Sequence, residues 1–202
     1  SLLIFTFFFC FWVLFIWAHM KKKLLTIFFL YISIFSYSYS SEKIVNNLKE
    51  GGKIVFIRHA IAPGGGDPPQ FTLKDCNTQR NLSQDGIDQS KKIGLFFLKN
   101  NILIEKVLSS EWCRCKDTAK HAFEEYNTFE ALNSFFDERF RKNKDKQIKE
   151  LINYLKSWKS EKNLVLVTHY VVILELLNLG ASSGEIIVVD KDLNLIGKIE
   201  NY

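Results

Sequence analysis

The stretch KIVFIRHAIAPGGGDPP, Lys53 to Pro69, sets an apolar run directly against a cation and an imidazole, then breaks into a glycine- and proline-rich segment. The run KIVFI shows no polar alternation, as expected for a strand in a parallel sheet whose two faces are both covered. Arg58 and His59 then fall at its carboxyl end, the edge of such a sheet where ligands bind. A long loop between a strand and the next helix is more often functional than idle, and the segment from Ala60 to about Arg80 reads as a lid or specificity loop beside His59.

Downstream, strand and helix patterns alternate. LSQDGIDQSKKIGLFFLKN predicts a helix with Ser83 as N-cap and with Ile87, Ile93 and Phe97 on its buried stripe. KVLSS is a second strand, and CRCKDTAKHAFEEY a second helix. The region 127–144 is irregular in pattern. DKQIKELINYLKSWKS is a helix with Ile148, Leu151, Ile152, Leu155 and Trp158 on one face. NLVLVTH is a third buried strand, and VVILELLNLG a helix ended by Gly180. GEIIVVD and LNLIGKIE form a hairpin around Lys191 and Asp192, and upstream EKIVNNLKEGG is a short helix stopped by Gly51-Gly52. This order predicts an α/β fold, a three-layer α/β/α sandwich with a mostly parallel central sheet.

The chain of 202 residues is long enough for one domain with a real core. Its first forty residues differ from the rest, with no acidic side chain and three lysines. Taking those three from the formal +5 leaves +2 for residues 41–202, so charge gives no reason to expect nucleic-acid binding. Met20 is the only methionine, and MKKKLLTIFFLYISIFSYSYSSEK reads from it as a basic region, an apolar region and a small-residue exit. We expect residues 1–19 to lie upstream of the true start, 20–40 to be a signal peptide, and 41–202 to be the functional domain, periplasmic or secreted. An uncleaved leader is the alternative, and the sole membrane contact expected. Cys76 has either Cys113 or Cys115 as a disulfide partner in an oxidising compartment, with one thiol left over. CRC is too tight for a usual zinc knuckle, so no metal is expected. His121, in mid-helix, and His19, in the leader, are given no role.

The three strand ends deliver Arg58-His59, Ser109-Ser110 followed by Arg114, and Thr168-His169. Arginine forks match phosphate oxygens and stay charged, while a neutral imidazole is a good nucleophile toward phosphorus. FIRHA, RNLSQDGIDQSKKIG, VLSSEWCRCKDTA, VLVTHYVVI and GEIIVV, in this order, resemble the histidine phosphatase superfamily, the phosphoglycerate mutase-like fold, from about Lys53 to Asp190. Ala60 stands where that family has glycine, and Ser83 where it has threonine. The resemblance implies a metal-independent phosphomonoesterase without a cofactor, acting on a small phosphomonoester. In it His59 would be the phosphorylated nucleophile, with Arg58, Arg114 and His169 completing the phosphate pocket. The general acid would be a carboxylate from the region holding Asp137 and Glu138, with Asp67 of the glycine loop as a further candidate. Arg80 faces either the same pocket or a surface acid. The short stretch from Arg114 to His169 favours a compact phosphatase over a mutase, and a member that binds phosphate without turnover is the alternative.

Overall fold

In the computed structural model, which describes residues 42–202, the apolar runs become neighbouring strands of one sheet. The elements are α1 (42–50), β1 (Ile54–Arg58), α2 (Gln84–Lys99), β2 (Ile104–Ser109), α3 (Cys113–Phe123), β3 (Asn127–Thr128), α4 (Glu138–Arg141), α5 (Lys144–Ser157), β4 (Asn163–Thr168), α6 (Tyr170–Leu177), β5 (Ile186–Val189) and β6 (Leu195–Ile199). The strands run in the order β3-β2-β4-β1-β5-β6. The first four are mutually parallel, whereas β5 and β6 run antiparallel and form the expected hairpin. The expected leader lies outside the described residues. Among the described residues no helix is long and apolar enough to cross a membrane.

The three layers follow from the pleat. Val55, Ile57, Val107, Val165 and Val167 point to one side, against Ile44 and Leu48 of α1, Ile93 and Phe97 of α2, and Ala119 of α3. Ile54, Phe56, Leu108, Leu164 and Leu166 point to the other, against Leu151 and Leu155 of α5 and Val172 and Ile173 of α6. Successive side chains of a strand alternate faces, so a strand covered on both sides must be apolar at every position. Every residue of β1 and β4 is buried save Arg58 at the tip of β1, and the only polar ones among those buried are Asn163 and Thr168 at the two ends of β4.

Two buried faces and one helix end differ from expectation. The buried face of α2 is Gly86, Ser90, Ile93 and Phe97, with Ile87 only half-buried. α5 buries Gln147, Leu151 and Leu155, while Ile148, Ile152 and Trp158 are half-buried at its flank. Gln147 is inside because its amide donates to the carbonyls of Glu130 at 2.8 Å and Asn133 at 3.3 Å. α6 ends before Gly180: Asn178 takes the left-handed conformation, φ 53° and ψ 36°, and its N–H bonds Leu174 O. Asparagine tolerates that region, so glycine is not needed there.

Candidate active site

Register brings the two histidines together. β1 and β4 pair in parallel with Arg58 opposite Thr168, and the N–H of His59 donates to Thr168 O at 2.9 Å. The next residues, His59 and His169, therefore leave adjacent strand ends side by side, with ring centroids 5.5 Å apart. β2 flanks β4 on its other side, and the N–H of Ser110 donates to Val167 O at 3.0 Å. α3 then starts over the same edge and brings in Arg114.

A cavity of about 500 Å³ opens there, lined by Arg58, His59, Arg80, Arg114, His169, Tyr170, Trp112, Asp137, Phe136, Ser134 and the Gly64–Asp67 loop, among others. His59, Arg114 and His169 are almost fully buried, whereas Phe136 is 65% exposed at the rim. Three cations crowd a small volume. The Nε–H groups of Arg58, Arg80 and Arg114 are all buried without an acceptor among the described residues. Other atoms of the same groups are anchored. Arg58 NH1 donates to Ala181 O at 2.8 Å, Arg80 NH1 to Ala62 O, and Arg114 NH1 to the Asp67 carboxylate at 2.8 and 3.1 Å. All three guanidinium groups belong to residues that line this one cavity, and that concentration of positive charge marks a place for an anion.

The imidazoles are neutral. Burial, reinforced by the Arg114 charge, pushes His59 down to about 3, and the same causes hold His169 well below the usual range. Nδ1 of His59 lies 2.9 Å from Ala60 O. A carbonyl only accepts, so Nδ1 carries the hydrogen and Nε2 keeps the lone pair. Nε2 of His169 meets Ser110 Oγ at 2.9 Å and Cys115 Sγ at 3.4 Å, which leaves Nδ1 as the ring nitrogen available to a ligand.

Solved structures with this arrangement of elements share little sequence with the chain. The protein histidine phosphatase SixA, complexed with tungstate, aligns over 74% of this chain and 94% of its own with a TM-score of 0.53 at 16% identity. TTHB049 from Thermus thermophilus aligns over 74% and 99%, at TM-score 0.52 and 16% identity. The mycobacterial glucosyl-3-phosphoglycerate phosphatase Rv2419c, in complex with VO3, aligns over 69% and 93%, at TM-score 0.53 and 15% identity. The fold is that of the histidine phosphatases. No protein-family model matches the chain, and no characterised protein matches it in sequence.

On this histidine phosphatase fold, His59, His169, Arg58, Arg114 and Arg80 all line one cavity, and Asp137 joins them. Glu138 does not: its carboxylate is 80% exposed and pairs with Arg141 at 2.9 Å, because it lies in the first turn of α4 with its side chain turned to solvent. Asp137 caps α4 and accepts from Arg139 Nε and NH2 at 2.9 and 3.0 Å, hydrogen bonds that hold its carboxyl below the usual carboxylate range. Cys76 pairs with Cys113, and Cys115 remains a buried free thiol whose ionisation burial pushes up to about 12. Among the described residues no group of three His, Cys, Asp or Glu side chains is arranged to hold a metal ion.

Some supporting residues left little trace in the sequence. Asn133 accepts from Ser110 Oγ at 3.0 Å and from the Glu111 N–H at 2.8 Å, fixing the serine beside His169. Gln79 accepts from the Cys113 N–H at 3.0 Å. Both are polar residues in irregular segments, and only burial distinguishes them from surface amides. Thr118 did have a signal, the Thr-Ala pair of the second helix.

Proposed function

We propose that this chain is a phosphomonoesterase that works through a phosphohistidine on His59. What carries the reading is that three arginines line one cavity with a neutral imidazole whose lone pair is on Nε2. The lone pair attacks phosphorus, the bond to the leaving oxygen breaks, and that oxygen departs as an anion that takes its proton from water. Water then attacks the phosphohistidine, the P–N bond breaks, and phosphate is released with His59 restored. Arg58, Arg80 and Arg114 hold the phosphoryl oxygens through both displacements, with the His169 ring beside them on the pocket wall. Asp137 stands at the cavity wall without a proton to give. Because Arg139 holds it ionised, leaving oxygens that depart without a proton suit the site best.

The tungstate and VO3 complexes of the fold relatives support an oxyanion in this position. The Cys76–Cys113 disulfide supports an oxidising compartment, consistent with export through the leader and a phosphoester met outside the cytoplasm.

The test is p-nitrophenyl phosphate hydrolysis with chelator present, together with brief labelling by a radioactive phosphoester. The expected result is turnover that chelator leaves intact and an acid-labile, base-stable label, both lost in His59→Ala. Tight phosphate binding with no turnover would instead identify a non-catalytic phosphate-binding protein, and full activity in His59→Ala would remove the nucleophile.

A further inference from the structure

Asp67 sits in the middle of the glycine–proline loop, yet its side chain is only 7% exposed, close to the 4% of the Arg114 side chain that it meets. Every polar contact of its carboxylate is to an N–H donor. Both oxygens accept from Arg114 NH1, at 2.8 and 3.1 Å. Oδ1 also accepts from the Arg80 backbone N–H at 3.0 Å, and Oδ2 from the Trp112 indole at 3.1 Å. The grip on Arg114 is end-on, through one nitrogen. A fork-to-fork pair would have consumed two nitrogens of the guanidinium. Here Nε–H of the same group stays buried with no acceptor among the described residues.

The loop has a second, independent tie to the same turn of α3. Cys76 is bonded to Cys113, and Gln79 accepts from the Cys113 N–H. The disulfide fixes where the loop runs, and the Asp67 contact fixes how the neighbouring guanidinium is turned.

We propose that Asp67 is a positioning residue: by occupying NH1 of Arg114, it fixes how that guanidinium is turned where it lines the phosphate pocket. It is an acceptor in every contact that it makes, and its influence passes through Arg114. The rate arm of the test rests on the phosphatase reading above; the binding arm does not.

A double-mutant cycle of Asp67→Asn and Arg114→Ala tests this, read as inorganic phosphate affinity by calorimetry and as kcat/KM for p-nitrophenyl phosphate and an alkyl phosphate. In the otherwise intact protein, Asp67→Asn weakens phosphate binding and lowers kcat/KM by about tenfold to a hundredfold, the size expected when a site ligand loses its orienting partner. The factor is the same for both esters, and the limbs of the pH–rate profile stay in place. In the Arg114→Ala background the same change has no further effect. A loss that persists in full without Arg114 would overturn the proposal and leave a structural role for the loop. A loss confined to the alkyl ester, with one pH limb removed, would overturn it in favour of a proton donor. If Asp67→Asn melts too low to assay, Asp67→Ser in the same cycle reads the same coupling. A protein that binds phosphate without turnover would defeat the phosphatase reading while the binding arm still decided this one.

Discussion

Thr118 shows how one hydroxyl can set the geometry next to a nucleophile. Its Oγ1 donates to Arg114 O at 2.7 Å and accepts from the Ala60 N–H at 3.0 Å, so the residue after His59 is pinned to the helix that carries Arg114. Ala60, Thr118 and Arg114 are all buried, so no water replaces a lost partner cheaply. Thr118→Val keeps the shape and removes the acceptor, leaving a buried N–H unpaired at a cost of about 1–3 kcal/mol. We expect a lower denaturation midpoint together with a fall in kcat/KM of about tenfold, as the orientation of His59 loosens. Thr118→Ser, which keeps the hydroxyl, retains most of both. Equal behaviour of the two variants would show that packing, not the hydrogen bond, holds the loop.

Among the elements, α2 shows why small residues on its buried face matter. A Cβ built on Gly86 would lie 2.1 Å from Ile61 O, a backbone atom that cannot swing aside, whereas one on Gly65 meets nothing within 4 Å. Gly86→Ala must therefore push the start of the loop that follows His59, and we expect about 1–3 kcal/mol of destabilisation with reduced turnover. Gly65→Ala should change stability little, and thermal melts of the two variants decide the matter. The same contact explains what the sequence left hidden. Periodicity reads apolar residues, so it placed Ile87 on the buried stripe. The helix instead rotates to bring Gly86 and Ser90 against its neighbours, because close backbone approach needs small side chains there. By contrast, the ends of β1 and β4 were readable in advance. An unbroken apolar run that stops at a histidine has one place to go in a parallel sheet, and in-register pairing makes His59 and His169 neighbours. Nothing local predicts that Asp67 reaches Arg114, that Asn133 holds Ser110, or that Glu138 turns outward while Asp137 stays at the wall. Those outcomes depend on segments that meet only after folding.

At the scale of the whole molecule, the fold holds two neutral imidazoles beside a cationic cluster, and that costs stability in acid. In the unfolded chain each histidine titrates at its ordinary value of 6.5, whereas in the folded protein His59 titrates at about 3 and His169 also lies well below 6.5, burial being the larger cause for both. Below 6.5 the unfolded state binds protons that the native state refuses, so stability rises with pH across this window. It is fully present above pH 6.5 and drains as pH falls toward the folded values, for His59 by about 1.4 kcal/mol per pH unit. Between pH 7 and pH 5 that amounts to about 2 kcal/mol for His59, and the His169 contribution has the same sign. Denaturant titrations at the two pH values, in phosphate-free buffer so that no oxyanion fills the pocket, give the comparison with a His59→Gln, His169→Gln double variant. The variant lacks both groups and is expected to lose at least about 2 kcal/mol less than the parent over this range. Carboxylates elsewhere contribute equally to parent and variant, so the difference isolates the pair. Identical losses would mean that these imidazoles are as easily protonated in the fold as out of it, a condition under which His59 could not serve as a neutral nucleophile at mildly acid pH.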